Sequence, residues 1–282
     1  MKRYGLFLVM LILMMGAAYV TCMEEQRQQQ PIEIQQVQSD VQKRYPVLVA
    51  KLGAGEKYFI PALSQGLIES FVYNPIKKNE LAIAYDLNTT LVIFDTAKKE
   101  IKSKIGLPGL ISDRGISYNT HNEDELACGL TNAQVVIVNT RKKAIIQSID
   151  VKLLIQQQFE GSDCLVAYNY KKHNEIAIAY GNQLIIYDLS QRKTKDIMTL
   201  DYSYPQQILY NPNKDDEIAV LASRVVQMVN TTNKNKITLG SSYYKHIVYS
   251  PQNNDQIATS FNRRVNPNDS NANSGIDIWD IS

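Results

Sequence analysis

The chain has 282 residues, of which 44% are hydrophobic and 21% charged, a globular composition that excludes wholesale disorder. Thirty Lys and Arg against 28 Asp and Glu leave a net charge of +2, too balanced for a protein whose main work is coating nucleic acid. Three cysteines and three histidines exclude a disulfide scaffold, a four-thiolate zinc site and a His-rich metal centre.

Lys2 and Arg3 precede an uncharged run over residues 4–23, followed within it by the small residues Gly16, Ala17 and Ala18. A basic start, an apolar stretch and a small-residue site predict a secretory signal over residues 1–22. The same run is long enough to serve instead as an uncleaved membrane anchor. Cys22 offers a third fate, lipid attachment, although Tyr19-Val20-Thr21 departs from the Leu-Ala-Gly that precedes such cysteines in bacterial lipoproteins. All three fates place the remainder outside the cytoplasm, secreted, periplasmic or held at a membrane. Residues 23–44 hold eight glutamines and few large apolar residues. Such a segment cannot bury enough surface to offset its ordering entropy and reads as a linker.

Residues 45–282 carry a repeat. Its segments lie near 68–110, 115–155, 164–203, 206–242 and 246–282. The tyrosines at 73, 118, 168, 210 and 249 step by 45, 50, 42 and 39, and the alanines at 82, 127, 177, 219 and 258 step identically. Two independent marks keeping one irregular spacing point to one structural unit copied five times. Each copy reads as four short strands. The second, such as Leu81-Ala82-Ile83-Ala84-Tyr85, is apolar without alternation, as a strand covered on both faces must be. The fourth, such as Ile101-Lys102-Ser103-Lys104-Ile105, alternates and sets lysines outward, as an edge strand needs. Buried strands first and a guarded edge last predict an all-β fold, a β-propeller of four-stranded antiparallel blades, with five blades.

The Tyr-Asn-Pro turn, the Glu-Leu-Ala or Glu-Ile-Ala second strand and the closing Trp279-Asp280 resemble the WD-repeat β-propeller family over about residues 68–282. The Trp-Asp pair occurs once; Phe94-Asp95, Val138-Asn139, Tyr187-Asp188 and Val229-Asn230 stand in its place elsewhere, and the family's Gly-His pair is absent. Its buried Asp-His-Ser-Trp network is therefore not implied here. The resemblance implies a scaffold for protein assembly. It also implies closure by an N-terminal strand. Repeat five stops after its third strand, and residues 45–52 are strand-like without another partner, so they are expected to complete the last blade.

Candidate contact residues fall on two rims. Repeat five holds an insertion at residues 262–274, with Arg263 and Arg264 able to grip carboxylates. Tyr58 and Phe59, and the Gln156-Gln157-Gln158-Phe159 stretch, are expected on the same rim, as a contact patch or as small satellite cores. The opposite rim takes the turns between third and fourth strands, with Lys98 and Lys99, then Arg141, Lys142 and Lys143, then Arg192, Lys193 and Lys195, then Lys234 and Lys236, which propeller symmetry gathers into a basic ring or leaves as a solvated rim. No constellation for catalysis stands out. Asp215-Asp216 sits in a turn, and His121, His173 and His246 fall in or beside surface turns without triad spacing. Cys128 aligns with the buried Ile83, and a bridge to Cys164 is left open. No cofactor is expected. The expectation is a non-enzymatic, exported scaffold for a protein partner, with no nucleic acid. The competing readings are an enzyme or ligand binder at the channel mouth and a structural envelope protein held at a membrane by its N-terminus.

Overall fold

A computed structural model describes residues 68–281 apart from 86–88, 157–158, 160–162, 223, 241–243, 251–252, 254 and 264–272. The chain divides into two compact units, Met1–Pro61 and Ala62–Ser282, and every described residue belongs to the second. The expected leader, linker and closing strand at 45–52, with Tyr58 and Phe59, lie outside the described residues, as does Arg264.

The second unit is built of five antiparallel sheets taken in chain order. Blade 1 comprises β1 (Ile68–Tyr73), β2 (Glu80–Tyr85), β3 (Thr90–Asp95) and β4 (Glu100–Gly106). Blade 2 comprises β5 (Ile111–Tyr118), β6 (Glu125–Leu130), β7 (Gln134–Asn139) and β8 (Ala144–Asp150). Blade 3 holds β9 (Cys164–Tyr168), β10 (Glu175–Tyr180), β11 (Gln183–Asp188) and β12 (Lys193–Thr199). Blade 4 holds β13 (Pro205–Tyr210), β14 (Glu217–Ala222), β15 (Val225–Asn230) and β16 (Lys236–Leu239). The fifth sheet has three strands, β17 (Tyr244–Tyr249), β18 (Gln256–Arg263) and β19 (Asn273–Asp280). Sheets of four strands, paired only with their sequence neighbours and stacked in order, are consistent with a β-propeller.

The two sequence marks occupy one register position. The residue before each marker tyrosine faces the marker alanine: Val72 and Ala82, Ser117 and Ala127, Ala167 and Ala177, Leu209 and Ala219, Val248 and Ala258. Alternation then sends the alanine row and the tyrosine row to opposite faces of each blade. In each seam between blades the small alanine face of one receives the tyrosine of the next. Ala82 and Ile93 pack with Tyr118 and Val138, and Ala177 and Ile186 pack with Tyr210 and Val229. The second strands are accordingly buried along their length, β10 at all six residues.

Two faces of this stack are exposed. Tyr73 is 55% exposed, against 6% or less for Tyr118, Tyr168, Tyr210 and Tyr249. On blade 5, Ile278 is 67% exposed where its counterpart Ile93 is 1% exposed.

Two local features depart from expectation, and a third answers an open one. A short helix, α1 (Val151–Ile155), follows β8, with Asp150 accepting from the backbone N–H groups of Lys152 and Leu153 as its N-cap. The insertion of repeat five begins as strand, because β18 and β19 prolong their ladder through Phe261–Gly275, Asn262–Ser274 and Arg263–Asn273. Arg263 is thus the last residue of β18, paired with Asn273. Cys128 and Cys164 are both free and buried, which excludes the disulfide left open between them.

Candidate functional site

The seams concentrate the polar chemistry of the described residues. The first strand of each repeat ends in Tyr-Asn or Tyr-Ser, and the second begins with Glu or Gln six residues after that Asn or Ser. The hairpin brings the two ends together, with Asn74 N–H donating to the Glu80 carbonyl at 2.8 Å. The Asn74 side chain then accepts from the backbone N–H groups of Ile76 and Lys77, holding the turn. Its amide donates to Glu80 Oε1 at 3.0 Å and, across the seam, to the Glu123 carbonyl of blade 2 at 2.7 Å.

The marker tyrosine of the following blade completes the latch. Tyr118 donates to Glu80 Oε1 at 3.1 Å, Tyr168 to Glu125 at 2.9 Å and Tyr210 to Glu175 at 3.2 Å. Burial, and then the neighbouring carboxylate, hold these tyrosine hydroxyls far above their ordinary pKa. Lys102 closes the other Glu80 oxygen at 2.7 Å, and Lys195 does the same for Glu175. Both lysines sit at a β-bulge in the fourth strand, between the pairs Ile93–Ser103 and Phe94–Ile101 in blade 1 and between Ile186–Asp196 and Tyr187–Thr194 in blade 3. A bulge re-aims the extra residue, and here it turns an edge lysine back over the sheet. In blade 2 that bulge residue is Ile146.

The Asp or Asn that ends the third strand of blades 1–4 shapes the next turn. Asp95 accepts from Ala97 and Lys98, Asn139 from Lys142, Asp188 from Gln191 and Ser190, and Asn230 from Thr232 and Asn233. Four residues on, Lys99, Lys143, Arg192 and Lys234 adopt left-handed backbone with φ of 60°, 54°, 51° and 65°. Of the basic residues singled out in the sequence, Lys99, Lys143, Arg192 and Lys234 therefore share one structural position. Lys98 and Lys142 precede that position, and Lys193 opens β12.

The preceding blade treats these cations differently. Lys234 forms an ion pair with Asp196 on β12. The register equivalents of Asp196 are Ser103 on β4 and Gln147 on β8, each opposite the middle of its third strand. At the seam of blades 1 and 2, where Ser103 stands, a cleft of about 340 Å³ opens. Its walls include Lys77, Lys102, Ser103, Asp124, Arg141 and Lys143. Lys77 is paired with Asp124 and Lys102 with Glu80. Arg141 and Lys143 make no ion pair among the described residues.

Elsewhere the candidate residues fall into structural roles. Phe159 packs edge-on against Tyr180 at 5.6 Å and exchanges backbone hydrogen bonds with its hydroxyl, a satellite core. His121 and His173, far apart in sequence, come within 6.1 Å between ring centres, and His121 Nε2 lies 2.8 Å from the Tyr170 carbonyl oxygen. Burial pushes the Cys128 and Cys164 thiols well up, so both are unreactive core groups. Burial, with Arg114 nearby, lowers the pKa of His246. Among the described residues no three His, Cys, Asp or Glu side chains are grouped to hold a metal ion, and no helix is long and apolar enough to cross a membrane.

No protein-family model matches the chain, and no curated protein does. Solved structures do. A chain in the crystal structure of the mitotic checkpoint complex superposes with a TM-score of 0.60 at 14% identity, over 77% of this chain and 62% of that one. A chain of hydrazine synthase from Kuenenia stuttgartiensis superposes with a TM-score of 0.64 at 12% identity, over 82% of this chain and 66% of that one. This chain thus spans less than two thirds of the length of either. At such identities the likeness is one of fold, and the fold is of the β-propeller kind.

Proposed function

We propose that the chain is a divergent WD-repeat-like propeller of five blades which acts outside the cytoplasm as a non-enzymatic platform for a protein partner. The observation that carries this reading is the use made of the seam carboxylates. Glu80, Glu125 and Glu175 each accept from the Asn of their own hairpin and the Tyr of the next blade. Their lone pairs serve cohesion between blades, and chemical variety is left to the turns. Rigid elements presenting varied turns suit recognition. Export rests on Lys2, Arg3 and the apolar run after them.

The test is chemical cross-linking of the full-length chain in extracts of its host, followed by reconstitution of each captured protein with purified chain. A partner that binds in the micromolar range or tighter, and that is lost when the turns after β3, β7 and β11 are replaced by Asn-Gly, supports the platform. Turnover of a small molecule by the purified chain, with no protein bound, overturns it. Fractionation into the cytosol with Met1 retained overturns export.

A further inference from the structure

We propose that the cleft between blades 1 and 2 is a receptor site for a single carboxylate, presented as an Asp or Glu side chain by a protein partner. The inference rests on the platform reading and specifies where one contact is made.

The argument comes from an internal comparison. Lys143 and Lys234 occupy the same left-handed turn position in successive copies of one unit. Lys234 meets the carboxylate of Asp196, supplied by the blade before it. Lys143 faces the corresponding position of its own preceding blade and finds Ser103. A cleft stands where blade 3 places a carboxylate. Its about 340 Å³ falls within the ~300–1,000 Å³ of ligand clefts.

Charge defines the ligand. The walls carry four cations, Lys77, Lys102, Arg141 and Lys143, against the three carboxylates Glu80, Glu123 and Asp124. One positive charge is uncompensated. Glu80 accepts from Asn74, Tyr118 and Lys102, and Lys77 pairs with Asp124, with Glu123 3.8 Å away. The free donors are therefore those of Arg141 and Lys143, two residues apart on one hairpin. Arg141 can take a carboxylate in bidentate fashion while Lys143 supplies the second charge. A monoanion neutralises the site. A dianion such as phosphate would leave negative charge beside Glu123 and Asp124, which disfavours it.

The experiment measures binding of two fluorescent peptides to the full-length chain, one of alternating Asp and Ser and its Asn counterpart, with inorganic phosphate as competitor. The Asp peptide is expected to bind weakly, to weaken as salt rises, and to outbind the Asn peptide. R141A/K143A should lower its affinity about tenfold, as loss of charge-assisted hydrogen bonds implies. S103D, which copies blade 3, should abolish the difference between the two peptides. D196S should open an equivalent cleft at the seam of blades 3 and 4 and raise the stoichiometry towards two. A Tm measured for each variant separates misfolding from loss of the site, and R141A/K143A alters only exposed residues. Equal binding of both peptides, or unchanged binding in R141A/K143A, overturns the proposal. Competition by phosphate far below the concentration at which chloride of equal ionic strength competes overturns the preference for a carboxylate. If the Asp peptide binds nowhere while a cross-linked partner still binds S103D, the cleft falls and the platform stands. If the peptide binds as expected while no protein is captured, the platform and the protein source of the carboxylate fall, and only the cleft's affinity for a carboxylate stands.

Discussion

The seam between blades 3 and 4 and the exposed face of blade 1 present the same residues in different circumstances. At the seam, Tyr210 is 1% exposed and donates to Glu175, which also accepts from Asn169 and Lys195. On blade 1, Tyr73 is 55% exposed. Identical positions in the repeat are thus worth different amounts, because a hydroxyl in water gains little from a partner whereas a buried one is costly without it. Blade 5 shows the complementary change. Its second strand begins with Gln256 in place of Glu, and its turn with Ser250 in place of Asn. The latch residues are those of seams, and they lapse where the described stack ends.

The sharpest break in that contrast is Glu175→Ala. It leaves Tyr210, Asn169 and Lys195 without their acceptor, and a loss of about 3 kcal/mol is expected, whereas Gln256→Ala should cost under about 1 kcal/mol. Urea unfolding of the two variants checks the difference. Gly129→Ala comes next. Its Cβ would fall 1.9 Å from the Cys164 carbonyl oxygen across the seam of blades 2 and 3, and overpacking of this kind costs about 1–3 kcal/mol. Tyr210→Phe is expected to cost about 1 kcal/mol and Tyr73→Phe no more than about 0.5 kcal/mol, read from midpoints in the same titration.

Two smaller effects appear in the pH profile. Tyr118, Tyr168, Tyr210 and Tyr249 have raised pKa values when folded. Their contribution is complete below about pH 10, where tyrosines of the unfolded chain ionise, and declines as pH rises beyond it. Thermal melting from pH 8 to 11 should show Tm falling from about pH 10, and Tyr210→Phe should flatten the fall. At the acid end, Lys172 lowers the Asp215 pKa. That contribution is present above about pH 3.9, the unfolded value, and is lost as pH falls through the lower folded one. Asp215→Asn should remove a small part of the acid-side decline.

The five-fold spacing of Tyr and Ala was legible because it reflects backbone register. A residue facing Ala82 across β1 and β2 must recur wherever the hairpin recurs, whatever surrounds it. The alternating fourth strand of blade 1 was legible as an edge, but Lys102, expected outward, turns back to Glu80 at a bulge that composition does not reveal. The role of the repeat's glutamates was not legible. Glu80 stands 38 residues from Tyr118, and nothing local tells an acceptor shared between sheets from a solvated turn residue. The Asn-rich insertion after Phe261 reads as loop by composition, yet ladder pairing carries strand as far as Arg263 and Asn273. The basic turns were visible as a group, but only the partner position, Asp196 in one blade and Ser103 in another, separates a satisfied cation from an unsatisfied one.

Composition and periodicity by themselves determined that these residues form small antiparallel sheets copied around one theme, because alternation and turn chemistry act within a few residues of chain. Which faces meet, which carboxylates are shared and where a charge goes unmatched were decided by tertiary stacking, because burial and Coulomb terms depend on distances in space between groups about forty residues apart in sequence.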